Sequence, residues 1–264
     1  MTFKDHFSGH AGAYAAHRPD RYPDELFDFL AAQAPGCGLA WDCATGNGQA
    51  ARPLAERFAV VMATDASAEQ VSHFRPHPRI EVRQAPAEAS GLASGSVDLV
   101  TVAQAIHWFD FDRFYREVRR VLRPDGLIAA WCYNLLRSEP AIDRVLDYLA
   151  EERVFSFWPP ERHWVSEEYR TLPFPFEEVP APPFTMSVEW NLDQLMAYVS
   201  TWSSIVRCRK ETGADALAEV ETDLVAAWGG PSERGSIRTL SWPLHLRLGR
   251  ANPSSSAEPT PAAA

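Results

Sequence analysis

The segment from Leu39 to Ala51, LAWDCATGNGQAA, most constrains the fold of this 264-residue chain. An apolar run ends at Asp42, a loop of small residues follows, and a run that favours helix begins near Ala51. This is the order of a strand, a glycine loop and a helix. Gly46 and Gly48 have no side chain, so the loop backbone can approach a bound molecule closely. The segment predicts the first strand–helix unit of a ligand-binding sheet, although a glycine turn without a ligand is the simpler alternative.

A second strand-like run, AVVMATD, ends in another acid, Asp65. Nucleoside-binding folds place an acid here to accept hydrogen bonds from ribose hydroxyls, which predicts a cofactor with an adenosine half. Gly46, Gly48 and Ala51 fit the G-x-G-x-x-G/A pattern of NAD(P)-dependent oxidoreductases. Asp42 favours S-adenosylmethionine instead, because an acid repels a pyrophosphate but attracts the sulfonium and ammonium groups of that cofactor.

The rest of the first half predicts alternating strands and helices. The segment 112–126 has an apolar face, and Pro124 and Gly126 are expected to end its helix, with Asp110 and Asp112 as start signals. The fourth strand is almost wholly apolar, as in a strand covered on both faces. Together the units predict a doubly wound parallel sheet. The third, fourth and fifth strand segments are IEVRQAPAEA (80–89), SVDLVTVAQAIHWFD (96–110) and LIAAWCYN (127–134).

Four pieces of the chain are similar to the class I S-adenosylmethionine-dependent methyltransferases, specifically the type 11 small-molecule group. They are AYAAHRPDRYP, WDCATGNGQ, PAEASGLASGSVDLVTVAQAIHWFD and RFYREVRRVLRPDGLIAAW, and the resemblance runs from about Phe3 to Gly249. One departure is Ala44, which stands where the family usually has the first glycine of the loop. The resemblance implies an α/β, doubly wound, mostly parallel seven-stranded sheet that ends in an antiparallel pair at 182–190 and 237–249.

The resemblance and the 46% hydrophobic composition favour a single methyltransferase domain over residues 1–249. Within it, residues 1–36 are expected to form an N-terminal lid and residues 138–181 an aromatic-rich cap insertion. Residues 250–264 are rich in proline and small residues, which is typical of a disordered tail.

The resemblance assigns S-adenosyl-L-methionine as cofactor and places its contacts on this sequence. It puts Tyr14 and Arg18 near the methionine carboxylate, because the paired N–H donors of a guanidinium match the two carboxylate oxygens. It puts Glu88 beside the adenine. The expected cofactor-binding residues are Tyr14, Arg18, Asp42, Ala44, Gly46, Gly48, Gln49, Asp65, Ala66, Ala87, Glu88 and Gln104.

His107 follows the fourth strand and is the candidate catalytic residue. A histidine suits proton transfer near neutral pH, if the nucleophile is a hydroxyl or an amine; packing at a strand end is the structural alternative. Aromatic residues are expected to exclude water around the acceptor, and they include Phe7, Trp108, Trp131, Tyr133 and Trp202.

Composition and charge limit the classes of molecule that the protein is expected to bind. Lys and Arg number 25 against 35 Asp and Glu, a net charge of −10, which disfavours nucleic acid. The sequence has no apolar run that predicts a membrane span, and its start lacks the apolar core of a signal peptide, so a cytoplasmic protein is expected. The four cysteines are scattered and predict free thiols. Two histidine pairs, His6/His10 and His73/His77, have i,i+4 spacing, but no metal is expected.

The function predicted from these patterns is in-line methyl transfer from S-adenosylmethionine to the O, N or C atom of a small molecule. Two alternatives belong to other classes. One is an NAD(P)-dependent oxidoreductase, and the other is a binding protein that keeps the methyltransferase fold without catalysis.

Overall fold

A computed structural model describes residue 19 and residues 21–251 of the chain, which divide into two compact units. The sheet unit comprises Asp24–Trp131, Leu172–Pro182 and the segment from Leu246 to residue 251. The helical unit comprises Cys132–Thr171 and Pro183–His245, with the described residues up to 23.

Eight strands are described. They are β1 (Leu39–Cys43), β2 (Val60–Asp65), β3 (Ile80–Gln84), β4 (Val97–Ala103), β5 (Leu122–Cys132), β6 (Glu177–Glu178), β7 (Phe184–Trp190) and β8 (Arg238–Arg250). The main sheet has the order β3-β2-β1-β4-β5-β8-β6. The first five strands are parallel neighbours, and β6 pairs antiparallel with the end of β8. The predicted mostly parallel sheet is confirmed, but it has eight strands instead of seven, because β7 pairs with β8 beside the main order and the short β6 is added to the predicted set.

The helices of the sheet unit are α1 (Asp24–Gln33), α2 (Ala51–Ala55), α3 (Ala68–His73), a 3-10 turn (Ile106–Trp108) and α4 (Phe111–Val121). Those of the helical unit are α5 (Pro140–Tyr148), which continues into a π turn (Leu149–Arg153), a 3-10 turn (Phe155–Phe157), α6 (Arg162–Ser166), α7 (Leu192–Ser200), α8 (Ser203–Thr212), α9 (Ala216–Ala227) and a last 3-10 turn (Pro231–Glu233).

The predicted helix over 112–126 is shorter in the structure. Asp110 caps α4 by accepting a hydrogen bond from the backbone of Arg113, as its start signal predicted. The helix ends at Val121, however, and β5 begins at Leu122, five residues before the predicted strand. Leu122 is extended and pairs with Val97 of β4, so the chain leaves the helix and joins the sheet two residues before Pro124.

The predicted antiparallel pair near the end of the chain is confirmed in the helical unit. Its register runs from Phe184 opposite Leu244 to Trp190 opposite Arg238. Pro243 lies inside β8, opposite Thr185, and is exposed. The two-residue strand β6 was not predicted, and Arg250, assigned to the tail by composition, is the last residue of β8.

Glu117 of α4 fixes the segment that follows β3. This buried carboxylate accepts hydrogen bonds from the backbone N–H of Ser90 at 2.8 Å and from its hydroxyl at 2.6 Å. Arg120 donates two further hydrogen bonds at 2.7 Å. The bonds from Arg120, followed by those from Ser90, lower the pKa of Glu117 to about 2 against the opposing effect of burial. The exit segment of β3 is therefore tied to a helix rather than left as a free loop.

We expect Glu117→Gln to lower the free energy of unfolding at pH 7 by about 1.5–3 kcal/mol, the range for hydrogen bonds to a charged group. Because the pKa is lowered on folding, the wild-type advantage is fully present above the ordinary glutamate pKa. It is lost as the pH falls towards about 2. Urea unfolding from pH 7 to pH 3 measures both effects. Glu81→Gln, at an exposed position on β3, is the control and is expected to change stability by less than about 0.5 kcal/mol. Equal losses in the two variants would contradict the assignment.

Candidate functional site

The carboxyl ends of β1 and β2 are joined through the side chain of Asp65. Its Oδ2 accepts a hydrogen bond from the backbone N–H of Gly46 at 2.9 Å, and its Oδ1 accepts one from Ser67 at 2.9 Å. The backbone N–H of Thr45 also donates to the carbonyl of Thr64 at 2.9 Å. These bonds fold the loop after β1 over the end of β2, which leaves a partly exposed carboxylate beside the loop.

The loop carries three residues in the left-handed region, Ala44 at φ 57°, Gly46 at 53° and Gly48 at 87°. The two glycines are needed for different reasons. A Cβ on Gly48 would lie 2.4 Å from the ring of Phe74, so that glycine is required by packing. A Cβ on Gly46 would meet none of the described residues within 4 Å, so those residues leave the space in front of Gly46 open to a ligand. Ala44 adopts the left-handed conformation that usually favours glycine, at the position where the resemblance expects the first glycine of the loop.

Asp42 is buried at the end of β1 and is held by two hydroxyl groups. Thr45 donates a hydrogen bond at 2.6 Å and Thr101 of β4 donates one at 2.8 Å. Burial raises the pKa of Asp42 to about 6, helped by the nearby charge of Asp65 and opposed by the two threonine bonds. Asp42 thus supplies negative charge behind the loop, while its oxygens are directed at protein hydroxyls.

Three predicted acids lie at the same edge of the sheet. Their charges act together on the buried thiol of Cys43. Burial is the main cause of the raised pKa of this thiol, and the charges of Asp42, Glu88 and Asp65 raise it further. Glu88 is half-buried and accepts a hydrogen bond from the backbone N–H of Asp110 at 3.1 Å. An edge with this concentration of acids favours a cationic ligand over a pyrophosphate.

The exit of β4 carries Gln104, His107 and Trp108. Gln104 is left-handed at φ 55°, and its backbone N–H donates to the carbonyl of Trp131 at 2.9 Å. His107 lies in the 3-10 turn with 8% of its surface exposed, and its ring centroid is 4.8 Å from that of Trp108. A bent, non-glycine turn at the end of a strand is typical of a functional site, because its strain persists only where the surroundings impose it.

The remaining cofactor candidates of the sheet unit lie near these groups in the sequence. Gln49 is half-buried in the turn before α2, and the carbonyl of Ala66 accepts a hydrogen bond from the side chain of Gln84 at 3.1 Å. Ala87 is buried beside Glu88. The predicted residues Phe7, Tyr14 and Arg18 lie outside the described residues.

The aromatic substrate candidates are distributed over the two units. Trp131 of the sheet unit is fully buried, with its ring centroid 6.2 Å from that of Phe27. Tyr133 and Trp202 belong to the helical unit and are also buried. Trp108 is the one described member of the set with partly exposed surface.

Sequence reasoning missed four residues that shape this site: Thr45, Thr101, Ser67 and Phe74. Thr101 is opposite Asp42 only because β1 and β4 pair in parallel in that register. Phe74 follows α3 and reaches the loop only in the folded chain. Thr45 and Ser67 each lie within two or three residues of a predicted acid. Because Asp often hydrogen-bonds to groups a few residues away, this spacing could have predicted both contacts from the sequence.

Comparisons with known proteins place this arrangement in a family. A methyltransferase-domain family model matches residues 41–130. A solved structure from Anaeromyxobacter dehalogenans, described as a candidate type II methyltransferase, is 47% identical, with a TM-score of 0.83 over 89% of this chain and 99% of that one. A candidate methyltransferase from Dictyostelium discoideum is 29% identical over 252 residues, 94% of this chain and 95% of the relative. An uncharacterized methyltransferase from Mycobacterium bovis is 40% identical over 121 residues, 46% of this chain and 49% of that protein.

The chain therefore belongs to the class I S-adenosylmethionine-dependent methyltransferases, with a type 11 domain, and it is a methyltransferase. This confirms the predicted family and replaces the oxidoreductase alternative. In the part of the chain that the structure covers, no helix has the length and apolar character to cross a membrane. The same residues contain no cluster of three or more histidine, cysteine or acidic side chains that could hold a metal ion.

The contrast between the two loop glycines gives a prediction about stability. We expect Gly48→Ala to lower the free energy of unfolding by about 2–4 kcal/mol, because its methyl group overlaps Phe74 in addition to the left-handed strain. Gly46→Ala is expected to lose only about 1–2 kcal/mol, from strain alone. Chemical unfolding of both variants tests this. In a double-mutant cycle, Phe74→Leu is expected to relieve part of the Gly48→Ala loss. Equal losses at the two glycines would contradict the packing explanation.

Proposed function

We propose that this methyltransferase transfers the methyl group of S-adenosyl-L-methionine to a small molecule, with the cofactor held at the carboxyl edge of the sheet unit. The observation that carries the proposal is the space in front of Gly46 that the described residues leave open, beside the partly exposed carboxylate of Asp65. A loop backbone that a ligand can approach and an acid that can accept ribose hydroxyls are the two features that this cofactor needs.

The residues present suit a cationic nucleoside. Asp65 accepts backbone N–H groups of Gly46 and Ser67 at both of its oxygens, which fixes a partly exposed carboxylate at the place where the family binds ribose hydroxyls. Asp42 and Glu88 add negative charge at the same edge. Glu88 can also accept from the exocyclic amine of adenine, with Ala87 beside it as an apolar contact.

The bound cofactor would supply a methyl group on a sulfonium, which is already a good leaving group. The protein's tasks are then to orient the acceptor, to exclude water and to remove a proton where the acceptor has one. Gln104 is a candidate to orient the ligands and Trp108 to shield them from water. By resemblance, Tyr14 and Arg18 hold the methionine carboxylate, and Gln49 and Ala66 contribute to the same site.

His107 is proposed as the group that accepts the proton of the acceptor. It follows β4 at the same edge as Gln104 and retains a small exposed surface. An imidazole is a suitable base near neutral pH for a hydroxyl or amine acceptor. A carboxylate acceptor carries no proton at that pH, and His107 would then only orient it.

The acidic composition supports a small molecule as acceptor. The net charge of −10 opposes binding to nucleic acid, whose affinity depends on cationic contacts to phosphate. Phe7, Trp108, Trp131, Tyr133 and Trp202 are proposed to line or support the acceptor site.

We expect Asp65→Ala to weaken the binding of S-adenosylhomocysteine by about 10- to 150-fold, equivalent to about 1.5–3 kcal/mol for hydrogen bonds to a charged group. Isothermal titration calorimetry measures it, with NADH titrated in parallel. Glu81→Ala on exposed β3 is the control and is expected to bind like the wild type. Thermal unfolding of each variant shows whether the loop held by Asp65 stays folded. Unchanged affinity in folded Asp65→Ala, or tight NADH binding without S-adenosylhomocysteine binding, would contradict the cofactor site.

A methylation assay against a metabolite panel, with an oligonucleotide and a protein as comparators, is expected to identify a small-molecule acceptor. With a hydroxyl or amine acceptor, His107→Ala is expected to lower kcat by about 10²-fold or more. The wild-type rate is expected to rise with pH as the imidazole loses its proton, and the variant is expected to lack that rise. A smaller loss without any change in pH profile would indicate orientation. Full activity in folded His107→Ala would remove it from the catalytic group.

A further inference from the structure

Arg162 of α6, in the helical unit, has a guanidinium that is held by neutral groups. Its Nη2 donates a hydrogen bond to Oδ1 of Asn134, and its Nη1 donates to the hydroxyl of Ser166 at 3.2 Å. Its Cζ lies 4.9 Å from the ring centroid of Trp158. A guanidinium has five N–H donors, and within the described residues only two of them are engaged in hydrogen bonds.

The described residues place no carboxylate within 4.0 Å of Arg162. Most other arginines of the helical unit form ion pairs, and Arg144, which forms none with the described residues, is exposed, whereas Arg162 is partly buried. The paired arginines are Arg137, Arg153, Arg170, Arg207, Arg209, Arg234 and Arg238. Acidic side chains are plentiful in a chain with a net charge of −10, yet none of the described ones forms an ion pair with this partly buried cation.

The environment of Arg162 is partly desolvated. Burial lowers the pKa of its guanidinium, and the groups that oppose this are Cys132, Tyr198, Tyr169 and, last, Glu151. Thiols and phenols are ordinarily neutral near pH 7, whereas a guanidinium stays charged. Glu151 is exposed and lies beyond ion-pair distance. A desolvated cation among neutral groups gains most from an anion that arrives from outside.

Two further observations describe the walls around this cation. The ring centroids of Trp158 and Trp202 are 5.9 Å apart, so the surface under the guanidinium continues into a second indole. Glu168 and Tyr169 are consecutive left-handed residues, at φ 58° and 59°, and Tyr169 is fully buried. Left-handed non-glycine residues typically cost about 1–3 kcal/mol each, and they cluster where a site needs a fixed geometry.

We propose that Arg162 binds a carboxylate of the small-molecule substrate, so that the enzyme acts on organic acids with an apolar or aromatic body. The paired N–H donors of a guanidinium match the two oxygens of a carboxylate, and the partly exposed Trp158, which packs against the buried Trp202, offers apolar surface to the rest of the molecule. This inference rests on the proposed function, because it names the class of substrate. Asn134 and Ser166 keep the guanidinium oriented.

The test compares acids with their neutral amides. Benzoate and phenylacetate, each matched with benzamide or phenylacetamide, are titrated into the full chain by calorimetry, with S-adenosylhomocysteine titrated on the same samples. The wild type is expected to bind at least one acid about 10-fold or more tightly than its amide. Arg162→Gln is expected to lose that preference, and Arg162→Lys to keep part of it, because lysine retains the charge without the paired donors.

Arg144→Gln is the matched control, since it removes one positive charge from an exposed position on α5 and is expected to keep the wild-type preference. Thermal unfolding accompanies every titration, and the ratio of acid to amide affinity is read only from folded samples. Absence of any acid preference in the wild type, or its persistence in Arg162→Gln, would overturn the proposal. Loss of S-adenosylhomocysteine binding with an intact acid preference would instead count against the cofactor site alone.

Discussion

The parallel pairing of β1 between β2 and β4 is the constraint on which the candidate site depends. It brings the carboxyl ends of three strands to one edge, where each strand is followed by a loop instead of a tight hairpin. In that register Asp42 lies opposite Thr101, and the loop after β1 reaches the carboxylate of Asp65. A shift of one residue would turn every side chain of β1 to the other face of the sheet and separate these groups.

Electrostatics at this edge follow from that pairing. Burial raises the pKa of Asp42, and repulsion by the nearby charge of Asp65 raises it further, whereas hydrogen bonds from Thr45 and Thr101 lower it. Two backbone amides donate to the carboxylate of Asp65. A bound sulfonium would relieve the same repulsion, which is why an acidic edge suits this family's cofactor better than a dinucleotide.

The helical unit contains a partly buried cation, Arg162, with no carboxylate within ion-pair distance among the residues that the structure describes. Arg162 is stacked on Trp158 and bonded to neutral oxygens, although acidic side chains outnumber basic ones in the chain. Folding with such a group desolvated is unfavourable unless something later neutralises it. The proposed carboxylate of the acceptor would supply that neutralising charge at Arg162.

Sequence reasoning predicted the alternation of strands and helices, the glycine loop, the acids after β1 and β2, and the family, because local period, small residues and motif spacing encode them. It misjudged the end of α4, where pairing of Leu122 with β4 prevailed over helix propensity. It also gave one reason for both loop glycines, whereas Phe74, distant in sequence, is why Gly48 has no side chain. The pKa of Asp42 and the surroundings of Arg162, with no counter-ion among the described residues, were decided by tertiary structure alone, since both depend on residues brought together only by folding.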